Sequence, residues 1–174
     1  MTAPKIEKLL TPYNFTNANN VGRIKYIVIH YVGALGGAWA NCHYYASKYL
    51  GASAHYFVGF EGEIWQSVED EDIAWHCGAK NYKHAECRNS NSIGIELCVR
   101  NKGSQADTSK DWYFEDSHLC NVLIVVGCRG ILSLEVVLGN GIDQTCTHYA
   151  DCRLHTHSHS LVACVIRIRT CAEG

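Results

Sequence analysis

Ile24-Lys25-Tyr26-Ile27-Val28-Ile29-His30 is an apolar run that ends on an imidazole, immediately before the loop Tyr31-Val32-Gly33. Apolar, β-branched residues at successive positions predict a strand buried on both faces, the kind found inside a parallel or mixed sheet. A strand that stops on His at the edge of its sheet is a rigid way to aim one metal-capable nitrogen into a cleft. The competing reading of His30 is a hydrogen-bonded surface residue, and the rest of the chain has to decide between them.

Working outward, a helix is expected over Trp39–Leu50, where Trp39, Cys42, His43, Ala46, Tyr49 and Leu50 fall on one 3.6-period stripe and Gly51 is placed to cap the end. Ser53–Gly59 and Ile64–Val68 read as two strands joined through Glu61-Gly62, a hairpin pattern. A polar loop with Trp75, His76, Cys77 and Gly78 leads through Asn89-Ser90-Asn91 into Ser92-Ile93-Gly94-Ile95-Glu96-Leu97-Cys98. In that strand the period of two puts Ile93, Ile95 and Leu97 on one face and Gly94 and Glu96 on the other. A carboxylate inside so apolar a strand is costly unless it is paired, faces a polar cleft, or is used. A sheet face open to water would also accommodate it.

The chain has 174 residues, enough for one domain with a real core, so no disulfide or metal is needed merely to fold it. Fifteen basic residues against 17 acidic ones leave no electrostatic footprint for nucleic acid or an anionic membrane, and both partners are excluded. The start Met1-Thr2-Ala3-Pro4-Lys5-Ile6-Glu7 lacks the pattern of a secretory signal, and no charge-free stretch is long enough to span a bilayer. Cytoplasmic synthesis without a signal peptide is therefore expected. In that compartment the ten cysteines should be thiols or metal ligands rather than a disulfide framework.

The character of the chain changes near Asp116. Six of the ten cysteines follow residue 117, residues 117–142 carry only Arg129 and Glu135 as charged side chains, and no proline occurs after Pro12. Neither helix nor strand is well specified there. The tail runs through Cys146-Thr147-His148-Tyr149-Ala150-Asp151-Cys152 and the alternating His155, His157 and His159 into Leu161–Arg169, which reads as a strand.

Four stretches in order carry a family resemblance: Tyr26-Ile27-Val28-Ile29-His30-Tyr31; Ala52-Ser53-Ala54-His55-Tyr56-Phe57-Val58-Gly59; Gly62-Glu63-Ile64-Trp65-Gln66 with Ala74-Trp75-His76-Cys77-Gly78; and Asn91-Ser92-Ile93-Gly94-Ile95-Glu96-Leu97. Together they resemble the type-2 zinc-dependent N-acetylmuramoyl-L-alanine amidases, a family that includes phage lysozymes of the amidase kind and peptidoglycan recognition proteins. The match covers roughly residues 10–116. The resemblance implies an α/β fold, a single domain over residues 1–174 with a central mixed β-sheet flanked by helices, family-like over 1–116 and divergent over 117–174. It implies Zn2+ as cofactor, His30 as the first metal ligand, and Glu96 as the carboxylate that orients or deprotonates the attacking water. Trp75 and His76 correspond to a wall of the substrate groove and His55 to an imidazole beside it; the alternative for both histidines is a structural ring satisfied by backbone.

The family's second half of the site is a His-Tyr-Asp motif followed by Lys and then by a Cys or Asp ligand. Here His148-Tyr149 is followed by Ala150, and Asp151 comes one residue late. With one inserted residue allowed, His148 is the second zinc ligand, His157 the third, and His155 stands in for the Lys as proton donor; Cys152 is a rival third ligand. The resemblance implies cleavage of the amide between N-acetylmuramic acid and L-alanine in peptidoglycan or a muropeptide, of endolysin or autolysin type, acting on the bacterial wall after release. Trp65, Trp75 and Tyr56 are candidates to stack on sugar or peptide. The alternative function is a peptidoglycan-binding relative with an incomplete zinc site. A monomer that neither enters a membrane nor binds nucleic acid is expected.

Overall fold

A computed structural model of the chain describes residues 5–78, 84–106 and 109–114, together with the backbone of three later strands. The strands in chain order are β1 (Ile6–Lys8), β2 (Phe15–Thr16), β3 (Tyr26–Tyr31), β4 (Tyr56–Val58), β5 (Ile64–Gln66), β6 (Ile73–Ala74), β7 (Ser92–Leu97), β8 (Arg100–Asn101), β9 (Trp112–Tyr113), β10 (Leu134–Val137), β11 (Asp143–Cys146) and β12 (Cys164–Ile168). One α-helix, α1 (Ala38–Ser47), is found among the described residues, where flanking helices in the plural were expected.

Eight strands form the central sheet in the order β1-β5-β4-β7-β3-β12-β10-β11. It is mixed: β3 and β4 both run parallel to β7, whereas β4 and β5 pair antiparallel, as do β3 and β12. The hairpin is as the sequence indicates. Its turn closes with a bond from Gly59 N–H to Glu63 O of 2.9 Å, and Gly62 takes the left-handed φ of +85° that such a turn needs. β12 lies within the stretch that sequence alone marks as a strand.

β7 sits between its two parallel partners and is packed on both faces, by an apolar cluster on one and by the His76 ring on the other, so the alternation along it sorts two environments. Ile93, Ile95 and Leu97 join Ile27, Tyr56, Val58 and Ile64 in an apolar cluster. Ser92, Gly94 and Glu96 face the other way, in register with Tyr26, Val28 and His30 of β3. On that second side α1 packs through Ala38 and Cys42 against Ala54, Phe57 and Cys98.

The helix differs from its sequence reading in length and in the face it buries. It ends at Ser47 with Lys48 as C-cap; Gly51 lies further on, and its N–H and that of Leu50 donate to Asn14 Oδ1. The buried side is Ala38, Asn41 and Cys42, with Tyr45 packing on the same cluster, whereas Trp39 and Tyr49 of the expected stripe are 54% and 71% exposed. Asn41 is the reason. Its amide donates to Gly36 O and Gly37 O at 3.0 and 3.1 Å, so a polar residue is satisfied inside the core and the inward face does not read as apolar.

Candidate active site

Because β3 and β7 are parallel neighbours in register, His30 and Glu96 stand side by side at the same end of the sheet and on the same face. His30 comes last but one in its strand, where the run of apolar residues gives way to the Val32-Gly33 loop. Glu96 keeps some exposed surface, yet its Oε2 is enclosed and has no hydrogen-bond partner. Burial pushes the carboxyl up to about 8, and burial likewise pulls His30 down to about 4. Near neutral pH the imidazole is therefore in its neutral form, the form that binds a metal.

Gly94 creates the space next to them. A Cβ at this position would come within 2.5 Å of the His76 ring, so the loop that follows β6 can lay His76 directly on the strand only because residue 94 has no side chain. Asn89 Oδ1 fixes that loop by accepting from His76 N–H at 3.1 Å and Cys77 N–H at 2.7 Å. The His76 Nδ1 then lies 3.0 Å from His30 Nε2 and 3.2 Å from Cys77 Sγ. His76 is pulled well below the usual imidazole range by burial first, and then by the neighbouring His30 and His55 rings.

The donor atoms of His30, His76 and Cys77 all lie within 4.8 Å of one another, a grouping able to hold a metal ion. Two imidazoles and a thiolate suit zinc, whose bonds to them are ~2.0–2.1 Å and ~2.3 Å. Two nitrogens bound to one tetrahedral zinc stand about 3.3 Å apart, so the observed 3.0 Å needs only a small parting of the rings. The unpartnered, buried Glu96 Oε2 is a second sign of fit, since a cation nearby would offset the desolvation of its charged form.

The other expected site residues are placed as follows. His55 is fully buried; its Nδ1 accepts from the Gly94 N–H at 3.0 Å, and its Nε2 lies 3.1 Å from the Arg23 guanidinium and 3.2 Å from Asp72 O. Its ring ties β4 to β7, to the Asp72 loop and to Arg23, an arrangement that favours the structural-ring alternative of its two readings. Tyr56 is 1% exposed in the apolar core, with its hydroxyl donating to Asp70. Trp65 packs partly buried against the cluster under α1. Trp75 remains partly exposed, its indole N–H donating to Thr16 Oγ1 at 2.9 Å and its ring edge-on to Tyr49. His148, His155, His157 and Cys152 lie outside the described residues.

Two participants were missed in the sequence. Cys77 carried a signal, its adjacency to His76 in a polar loop, but neither residue was read as a ligand because the loop's distance from His30 is set only by folding. Arg23 carried none; its guanidinium donates to Ser92 O, Asp70 O and Asp72 O, pinning the start of β7 to the loop before β6.

A mixed sheet that gathers neutral imidazoles, a thiol and an unpaired carboxylate at one strand end defines a hydrolase-like site with metal-ligating donors. The family described as N-acetylmuramoyl-L-alanine amidase matches residues 20–126, and the chain belongs to it. It is 32% identical over 127 residues to 1,6-anhydro-N-acetylmuramyl-L-alanine amidase AmpD of Haemophilus influenzae, covering 64% of this chain and 67% of that one. Against the enzyme of the same name from Citrobacter freundii the identity is 37% over 87 residues, with 41% of this chain and 46% of the relative covered. The chain thus spans between about half and two thirds of the length of these relatives. Among solved structures, a selenomethionine AmpD derivative shares the fold with a TM-score of 0.53 at 21% identity, covering 74% of each chain. The catalytic domain of XlyA does so with a TM-score of 0.50 at 22% identity, covering 71% of this chain and 74% of that one. No helix among the described residues is long and apolar enough to cross a membrane.

Proposed function

We propose that this chain hydrolyses the amide joining the lactyl group of N-acetylmuramic acid to L-alanine, with zinc as its cofactor. The observation that carries the reading is the pairing of His30 with Glu96 across β3 and β7, an imidazole and an unsatisfied carboxylate on one face at one strand end. His30 would help hold zinc, which would supply Lewis-acid polarisation of the scissile carbonyl. Glu96 Oε2, the oxygen without a partner, takes the proton of the attacking water and delivers it to the leaving nitrogen of L-alanine. Its elevated pKa favours the second half of that task, and a cation alongside lowers it towards the first. Trp75, at the rim, offers its ring to the sugar or the peptide stem.

The relatives' names favour an anhydro-muropeptide as substrate, and action on intact wall, as an endolysin performs, is the other form of the same chemistry. The test supplies both substrates to the purified chain and measures newly exposed L-alanine amino termini. Release is expected in zinc and absent with a chelator, and absent in both His30→Ala and Glu96→Gln. A folded, metal-loaded chain that retains muropeptides without cleaving them would replace this reading with that of a binder.

A further inference from the structure

The grouping at the end of β3 contains its own evidence of which atoms offer lone pairs. Ser92 Oγ donates its single proton to Arg88 O at 2.7 Å, so towards His76 Nε2, 3.1 Å away, it can only accept. The His76 proton is therefore on Nε2, and Nδ1 presents a lone pair to His30 Nε2 and Cys77 Sγ. One lone pair cannot accept fully from both. A metal-binding histidine characteristically donates its second ring N–H to an oxygen, which fixes the tautomer and turns the other nitrogen to the ion; Ser92 does this for His76. Asn89 holds the loop backbone at both His76 and Cys77, and Gly94 leaves room for the ring.

We infer that His30, His76 and Cys77 together constitute a divalent-metal site, taking zinc or cobalt through two imidazoles and one thiolate, which needs no donor from residues 117–174. The inference rests on the metal-dependent reading above for His30 as a ligand, and departs from the family pattern in the other two. Three protein donors are the number a catalytic rather than a purely structural zinc site would use, and Glu96 stands in register with His30 on the neighbouring strand. Coordination by Cys77 would displace its thiol proton to solvent, so metal uptake is expected to release a proton.

The test is titration of the full chain, freed of metal by chelation, with Co2+, followed by absorption spectroscopy. One equivalent is expected to bind with a sulfur-to-cobalt charge-transfer band. The band should persist in Cys152→Ser and in His148→Ala, vanish in Cys77→Ser, and be accompanied in His76→Ala by a loss of affinity of about tenfold or more. X-ray absorption of zinc-loaded Cys152→Ser should still show a sulfur ligand, a measurement that decides the matter even where Cys77→Ser fails to fold. The inference is overturned by a band that disappears with Cys152→Ser, by stoichiometric binding lost in His148→Ala, by a spectrum that Cys77→Ser leaves unchanged, or by no binding at all. Failure of the amidase reading looks different: a chain with the expected cobalt spectrum that exposes no L-alanine amino termini.

Discussion

The two faces of β7 share one backbone and one pair of neighbouring strands, yet they do opposite things. Ile93, Ile95 and Leu97 disappear into an apolar cluster with side chains from β3, β4 and β5, whose one hydroxyl, that of Tyr56, donates to Asp70. Ser92, Gly94 and Glu96, one residue out of phase, support His76, make room for it, and present an unpaired carboxylate beside His30. Stability is concentrated on the first face, whereas the second carries an enclosed polar atom whose burial works against the fold. A sheet covered on both sides lets one strand serve both purposes, because the apolar face anchors the geometry that the polar face requires.

Substitutions on the two faces should therefore separate activity from stability. The largest effect is expected from Glu96→Gln, which should lower the amide-hydrolysis rate by ~10²–10⁴-fold, the usual contribution of a general acid or base, while thermal unfolding stays cooperative. A variant that keeps more than about a tenth of the wild-type rate would remove Glu96 from the chemistry. Ile95→Ala, its neighbour on the opposite face, should cost ~2–5 kcal/mol of stability in denaturant titration and leave the rate per folded molecule near wild type. Gly94→Ala joins the two effects: the added methyl meets the His76 ring, costing ~1–3 kcal/mol by overpacking, and both cobalt affinity and turnover should fall as the ring is displaced.

The pH dependence of the metal-free chain sharpens the same contrast. Glu96, with its folded value at about 8 against 4.5 in the unfolded chain, contributes stability that is complete below pH 4.5 and lost as the pH rises to 8. His30, at about 4 in the folded chain against 6.5 unfolded, has the opposite slope: the unfolded chain holds the extra proton between those values, so stability recovers as pH rises from 4 to 6.5. Above 6.5 only the Glu96 contribution of the two still changes. In chelator, the Tm should therefore decline between pH 6.5 and 8, and Glu96→Gln should flatten that decline; a slope that survives the substitution places its origin elsewhere. The smallest effect is expected at the rim, where Trp75→Phe removes the indole bond to Thr16 and should cost ~0.5–1.5 kcal/mol in thermal unfolding.

Much of this site is written in strictly local patterns. The position of His30 at the end of an apolar run, and the alternation that sets Gly94 and Glu96 against Ile93, Ile95 and Leu97, follow from a side-chain period of two that no tertiary contact can alter. The hairpin is equally local, because Glu61-Gly62 supplies the residue that its turn demands. The inward face of α1 is not legible because Asn41 hides a buried position behind a polar name, and the choice between groove and core for Tyr56 and His55 stays open in the sequence until folding places both inside.

By itself, then, the sequence determined which side chains each strand offers to each face, since strand geometry converts spacing directly into direction. Only the tertiary structure decided that β7 lies between β3 and β4, setting Glu96 in register with His30, and that a loop 46 residues beyond His30 returns to lay His76 and Cys77 against Gly94. Those placements depend on long-range pairing and on the space left by one missing Cβ. Neither is encoded by any stretch of neighbouring residues, because both arise when separate elements compete to cover the same face of the sheet.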